Sequence, residues 1–379
     1  MSAWVRRHPI WSLGAIVIVI IAAAVTTAAR RSGTAQAETV YVIHQSARAV
    51  TPISTITNTA GKPIKVGSGP IAIAVTPDGK TVYVANSYSD TVTPITTATN
   101  TAGKPIRAGD SPGRIAITPD GKTAYVTNFE PGTVTPITTA TNTPGKPIKV
   151  GKWPLAITVT PDGKTVYVAN WGSDTVTPIT TATNTAGKPV KVGTVPRTMA
   201  MTPDGKTVYV IGGTTVTPIA TATNTPGQPV QVGVADDLPD RPGGVAITPD
   251  GKTAYIANVD SRTVTPITMA TNTAGEPIRV GQAPGPIAIT PDGKTAYVAN
   301  GADDPGGGTV TPITTATNTA GKPIRVAGGT TAIAVTPDGK TVYATSFAAG
   351  TVTPITTATN TPGKPIKVGN EPFALVIAP

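Results

Sequence analysis

The 379-residue chain has no cysteine, so it forms no disulfide, offers no thiol nucleophile and gives no cysteine ligand to a metal. A lipid anchor attached through cysteine is excluded on the same ground. Histidine is almost as scarce, and only His44 lies beyond the apolar N-terminal segment. From these residues no Ser, His and Asp or Cys and His arrangement can be assembled around a pocket, and the expectation is that the chain is not an enzyme. Aromatic residues are 4% of the chain, too few for a broad basic and aromatic nucleic-acid platform. The formal charge of +10 falls to +6 once the four arginines of the first 37 residues are set aside.

What the chain has in quantity is a repeat. Thr76-Pro77-Asp78-Gly79 recurs at Thr118, Thr160, Thr202, Thr248, Thr290 and Thr336, at steps of 42, 42, 42, 46, 42 and 46 residues. Each unit holds four short β-compatible runs, for example 69–75, 81–85, 91–95 and 105–108, separated by Gly, Pro, Asn and Asp turns. A period near 42 with four strands per unit is one blade of a β-propeller, which makes the fold all-β. The first run alternates large and small residues, as in Ile71-Ala72-Ile73-Ala74-Val75, and suits an inner strand where sheets converge. The second, Thr81-Val82-Tyr83-Val84-Ala85-Asn86, has the β-branched and aromatic make-up of a half-buried strand.

The two ends count the blades. Residues 38–53 align with 80–95 at an offset of 42, so the chain beyond residue 37 starts without an inner strand, and 370–376 supply it. Seven complete units between three N-terminal strands and one C-terminal strand give eight four-stranded blades, the last closed by both ends. Closure of this kind leaves no exposed inner edge and defines one domain, 38–379. Lys and Pro on the outermost run, as in Lys104-Pro105-Ile106-Arg107, read as edge protection, with a basic belt for anionic polymers as the functional alternative. Pro94 and its equivalents fall in a strand with neighbours on both sides and call for a bulge or an unpaired position.

Residues 1–37 are a different material. Arg6-Arg7 precede an apolar run over 10–29, and Ala35-Gln36-Ala37 offers small residues before a cleavage point, which is the anatomy of an export segment. The run is also long enough to span a membrane, so a cleaved signal peptide and a retained anchor, with membrane contact only through 10–29, both stand. Either fate places the propeller outside the cytoplasm.

Tyr125-Val126-Thr127-Asn128, with Thr118-Pro119-Asp120-Gly121-Lys122 and Thr139-Ala140-Thr141-Asn142-Thr143 around it, resembles the YVTN β-propeller repeat family from Glu38 to Pro379. The resemblance implies an exported or surface protein of the surface-layer or periplasmic type. Some relatives bind single-stranded DNA, and related propellers act as lactonases or lyases. Two departures stand out: members are usually seven-bladed, and the family's Ile-Asp is Ile-Thr here, as in Ile95-Thr96.

Topology sorts the loops. Those joining strands one to two and three to four share a face that repeats almost unchanged, and those joining two to three and four to one share a face that carries nearly all the variation. On the variable face Tyr88, Phe129, Trp153 and Trp171 come from three consecutive blades and are candidates for a ligand rim, with capping of the blade cores as the alternative. Arg114 and Arg197 interrupt small or apolar inner-strand positions near that face and are candidates to hold a carboxylate or phosphate in the channel. Asp236, Asp237 and Asp240 in one insertion and Asp303 and Asp304 in another are oxygen ligands of the kind Ca2+ takes, without a recognised calcium-loop spacing. No other cofactor is expected. His44 reads as taking the place of Ala85 in other blades, packed at a strand end. The expected function is a monomeric, non-enzymatic binding propeller of the bacterial cell envelope, its partner a glycan, a small molecule or a protein. A single-stranded nucleic-acid binder and a metal-dependent lactonase or lyase are the alternatives.

Overall fold

Eight antiparallel sheets form a closed ring in the computed structural model, which describes residues 38–235, 238–239, 242–301 and 307–379. In the first complete blade the strands are Pro70–Val75, Thr81–Asn86 and Thr91–Thr96, followed by an outer strand in two pieces, Thr101–Ala102 and Ile106–Arg107. The other blades repeat this order. The blade count of eight and the all-β class agree with the sequence, and the seven blades usual in the resembling family do not apply. A two-stranded ribbon, Val234–Ala235 with Leu238–Pro239, stands outside the blades.

The second strand is buried more fully than its sequence implies. Val82, Tyr83, Val84 and Ala85 are all at 0% exposure, because the neighbouring blades cover both faces of the sheet. Half-burial is the rule for a sheet with one wet face, and an interior blade has none.

The third-strand proline is explained by the split in the outer strand. Pro94 lies opposite Tyr83 on one side, and on the other its carbonyl accepts the Gly103 N–H at 2.7 Å. Its missing N–H faces the same way, where Gly103-Lys104-Pro105 interrupts the outer strand and asks for no donor. A Cβ on Gly103 would stand 3.2 Å from the Pro94 ring, so the close approach favours glycine there.

Blades are joined by a bond that runs around the ring. The Tyr83 hydroxyl donates to Asn142 Oδ1 at 2.6 Å, from the second strand of one blade to the loop between strands three and four of the next. The same bond recurs from Tyr41 to Asn100, Tyr125 to Asn184, Tyr167 to Asn224, Tyr209 to Asn272, Tyr255 to Asn318 and Tyr297 to Asn360. Tyr343 to Asn58, at 2.7 Å across 285 residues of chain, closes the circle. Burial pushes the Tyr83 hydroxyl up to about 12, so it stays a donor at ordinary pH. Each accepting asparagine sits at a positive φ, 53° for Asn100 and 55° for Asn142, a conformation asparagine tolerates better than most residues.

The closing blade pairs Thr39–His44 with Pro372–Ala378, from Thr39 opposite Ala378 to Ile43 opposite Ala374, and Phe373 and Leu375 are buried. His44 takes the place of Asn86, not Ala85: it ends the strand opposite Ala49 as Asn86 ends its strand opposite Thr91. Its Nε2 lies 2.9 Å from Thr51 Oγ1, the counterpart of Asn86 Nδ2 to Thr93 Oγ1 at 2.9 Å, and its Nδ1 lies 3.2 Å from the Asn370 carbonyl. Burial pushes its pKa below the usual histidine range, against the pull of the Asn370 carbonyl. His44 thus links the N-terminal strands to the segment leading into the last strand.

Candidate functional site

On the repeated face every turn is used up in holding itself together. Thr76 Oγ1 donates to Asp78 Oδ1 at 2.7 Å and accepts the Thr81 N–H, while the Lys80 N–H donates to the same carboxylate at 3.1 Å. These bonds, the Thr76 hydroxyl first, hold the Asp78 carboxyl below its usual range despite some desolvation. Lys80 and Asp78 pair at 3.5 Å, and the six equivalent turns repeat the pairing, so the charges on this face cancel locally. Both partners are exposed, and the pairing adds little stability.

The variable face carries the aromatic group. The loop entering the third complete blade brings Trp153 between Phe129 of the previous blade and Trp171 of its own. The Phe129 and Trp153 rings are stacked, with centroids 6.0 Å apart and planes 9° from parallel, and Trp153 and Trp171 are tilted at 35° with centroids 5.2 Å apart. Both distances suit offset aromatic packing. Backbone bonds fix the loops beneath: the Trp171 N–H donates to the Trp153 carbonyl and the Gly172 N–H to the Lys152 carbonyl, each at 3.0 Å. Trp153 has φ of 55°, at a position filled in other blades by Gly69, Ser111, Val195, Ala283, Gly329 and Glu371, also at positive φ. A side chain there costs conformational energy that glycine avoids, a cost the ring bears in most of its blades. Phe129 is buried and Trp171 half-buried, whereas Trp153 is 43% exposed, so the stack has a packed base and an open tip. The Trp171 indole N–H is enclosed and makes no hydrogen bond among the described residues. Phe129 is packed at the end of a blade core, and Trp153 presents a ring to solvent.

Tyr88 is not brought into that group. It is 69% exposed and its ring lies over Gly69, where an added Cβ would come within 2.7 Å of it. Phe129 and Trp171 share a column of equivalent positions with Ser87; Tyr88 is one residue further along.

Arg114 and Arg197 both fall where the inner strand loses register with the second strand, between Pro112 and Ile115 in one blade and between Pro196 and Thr198 in another. They occupy non-equivalent positions two blades apart. The Arg114 N–H donates to Thr127 Oγ1 at 2.9 Å, and its Nη1 reaches the Ile71 carbonyl of the preceding blade at 3.4 Å. Its Nε is buried without a partner, and desolvation lowers the guanidinium to about 10, still charged at neutral pH. Arg197 is half-buried. Asp236, Asp237, Asp240, Asp303 and Asp304 lie outside the described residues. Among the described residues no group of three or more His, Cys, Asp or Glu could hold a metal ion, and no helix is long and apolar enough to cross a membrane.

Two family models match parts of the chain: a YNCE-like beta-propeller over residues 1–131 and a lactonase, 7-bladed beta-propeller, over residues 123–224. No curated protein matches. Among solved structures the chain is similar to Kuenenia stuttgartiensis hydrazine synthase, at 24% identity over 76% of this chain and 96% of that one, with a TM-score of 0.62. It is also similar to the dihydro-heme d1 dehydrogenase NirN in complex with DHE, at 15% identity over 91% of this chain and 76% of that one, with a TM-score of 0.75. A third similar structure, a functionally unknown protein from Desulfotomaculum acetoxidans DSM 771, shares 17% identity over 90% of this chain and 98% of that one, with a TM-score of 0.61. At these identities the likeness is one of fold, and the chain is a β-propeller.

The expectation that the chain is not an enzyme is corrected by these matches. A lactonase model covers the segment that holds Phe129, Trp153 and Trp171, and two of the similar structures are enzymes. The scarcity of His and Cys is no ground for exclusion on this fold, because carboxylates, backbone groups or a bound cofactor can carry the chemistry of a propeller site.

Proposed function

We propose that this chain is an exported β-propeller of the bacterial cell envelope, of the YVTN surface-layer or periplasmic type, that binds its ligand on the variable face. The observation that carries the reading is the Phe129, Trp153 and Trp171 stack, bridging two blades with one ring open to solvent. Such a platform takes the apolar face of a sugar ring, a small planar molecule or a partner's side chain. Export rests on the apolar segment over 10–29. A screen of envelope glycans, peptidoglycan fragments and oligonucleotides, read by tryptophan fluorescence, tests the reading. A ligand whose affinity survives Trp153→Ala and Trp171→Ala would overturn the assignment of the site. Oligonucleotide binding that weakens steeply with salt would instead make the chain a single-stranded nucleic-acid binder.

A second reading is favoured by the lactonase match over 123–224. In it the same face turns over a cyclic ester with a divalent metal held by carboxylates. Lactone hydrolysis by the purified protein, abolished by a chelator and restored by the metal, supports it, and no turnover across a lactone panel with Ca2+ or Mn2+ supplied removes it.

A further inference from the structure

Arg114 is a cation without a counter-charge. Its one side-chain hydrogen bond among the described residues is the long contact to the Ile71 carbonyl, its Nε has no partner, and no carboxylate pairs with it. The Nε is enclosed by protein, yet the residue as a whole keeps some accessible surface. A group in a packed core has neither opening nor charge, and a group on the outer surface is not surrounded. Both conditions are met on the wall of an enclosed opening, and Arg114 belongs to the strand that borders the central opening of the ring.

The equivalent position in the other blades argues that the ring does not need this side chain. Ala72, Ala156, Ala332 and Ala374 stand in four of them and Thr198, Gly244 and Pro286 in the others, all buried and none charged. A buried guanidinium introduced where alanine serves the fold is destabilising unless something pairs with it. The strands also tie it to the variable face: the Arg114 N–H is bonded to Thr127, and two residues on the Phe129 N–H is bonded to Ser111, so one pair of strands carries both the guanidinium and the base of the aromatic stack.

We propose that Arg114 is the anion-recognising residue of a site in the central opening, which takes the carboxylate or phosphate of a small ligand entering from the variable face. The inference rests on the variable-face reading above and adds to it the charge of the ligand. A guanidinium is suited to the task because its planar array of donors matches an oxyanion.

Inorganic phosphate and acetate are the probes, each compared with chloride at equal ionic strength and pH 7 by thermal melting of the full chain. Site binding in the millimolar range should raise the midpoint by about 2 °C at roughly tenfold excess over the dissociation constant. That shift should vanish in Arg114→Ala, persist in weakened form in Arg114→Lys and be retained in Trp153→Ala. The phosphate and acetate arms separate a phosphate site from a carboxylate site. General stabilisation by phosphate acts on all variants alike and is removed by the comparison. An equal response in wild type and Arg114→Ala, or no response of the wild type to either anion, overturns the proposal. In chloride alone Arg114→Ala should melt no lower than the wild type; a fall of several degrees would make Arg114 a structural residue and also overturn it. The variable-face reading is judged separately, by the two tryptophan variants against an uncharged glycoside.

Discussion

Replacing Tyr83, Tyr167, Tyr255 and Tyr343 together by phenylalanine removes four of the eight bonds that link blade to blade. The four share no partner, since they donate to Asn142, Asn224, Asn318 and Asn58. Each ring stays buried, so the hydrophobic contribution is kept and the loss is confined to one hydroxyl bond per site. A part-buried neutral bond contributes about 1 kcal/mol net, and sites this far apart add, giving about 4 kcal/mol. For a domain of about 340 residues the unfolding entropy near the midpoint is about 0.7 kcal/mol/K, so the quadruple variant should melt about 6 °C below the wild type. Each single variant should fall by about 1.5 °C on the same basis, Tyr343→Phe no more than the rest if the ring is evenly closed. Calorimetry of the four singles and the quadruple is the assay. A quadruple variant that melts within about 1 °C of the wild type would refute the view that these bonds tie the blades together.

Deleting residues 370–379 strips the inner strand from the closing blade, exposes the faces that Phe373 and Leu375 cover, and should lower the melting midpoint sharply; an unchanged midpoint would refute closure. Trp153→Ala should weaken ligand binding by roughly 1 to 3 kcal/mol, as loss of a stacking contact does, with little change in melting, because its ring is open on one side. Trp171→Ala, at the half-buried base of the stack, should cost stability as well, and calorimetry with titration on both variants separates the two effects. Acidification should destabilise the ring through its repeated turns: Asp78, Asp120 and Asp162 are held below the usual carboxylate range, so their contribution is present above the unfolded-state value of about 4 and is lost as the pH falls through the folded-state values. Melting curves from pH 6 to pH 2 check this, and Asp→Asn at all three turns should flatten the profile.

The blade number was readable because the chain carries its own ruler: the offset of 42 that aligns Glu38 with Lys80 also leaves one inner strand to be found at 372–378. The Tyr to Asn bonds were equally present as a signal, a separation of 59 residues in the unbroken repeats, shortened to 57 from Tyr167 to Asn224 and lengthened to 63 where an insertion intervenes. They went unread because the two residues belong to different units, and a comparison of units with one another does not show contacts between them. The same limitation applied to the second strand, whose full burial comes from neighbouring blades. The aromatic face was legible as a face and not as a contact: loop order places Tyr88 with the others, but the column shared by Ser87, Phe129 and Trp171 decides which rings meet. Arg114 owes its place to a loss of register in the inner strand, which no residue pattern announces. The enzyme question was misjudged because residue scarcity was weighed as though a propeller could work only with its own histidines and thiols.

The last residue of the ring and the first of its strands meet in what would have been an eighth repeated turn: Pro379 stands against Gly79, and Thr39 pairs with Ala378. Thr39 and Pro379, near the two ends of the closed ring, therefore both lie on the repeated face. The Thr-Pro-Asp-Gly-Lys turns share that face, and Trp153 stands on the opposite one. The two ends of the ring and the aromatic platform lie at opposite poles of the ring axis, so a label or surface coupled at either end leaves the variable loops free on the far side.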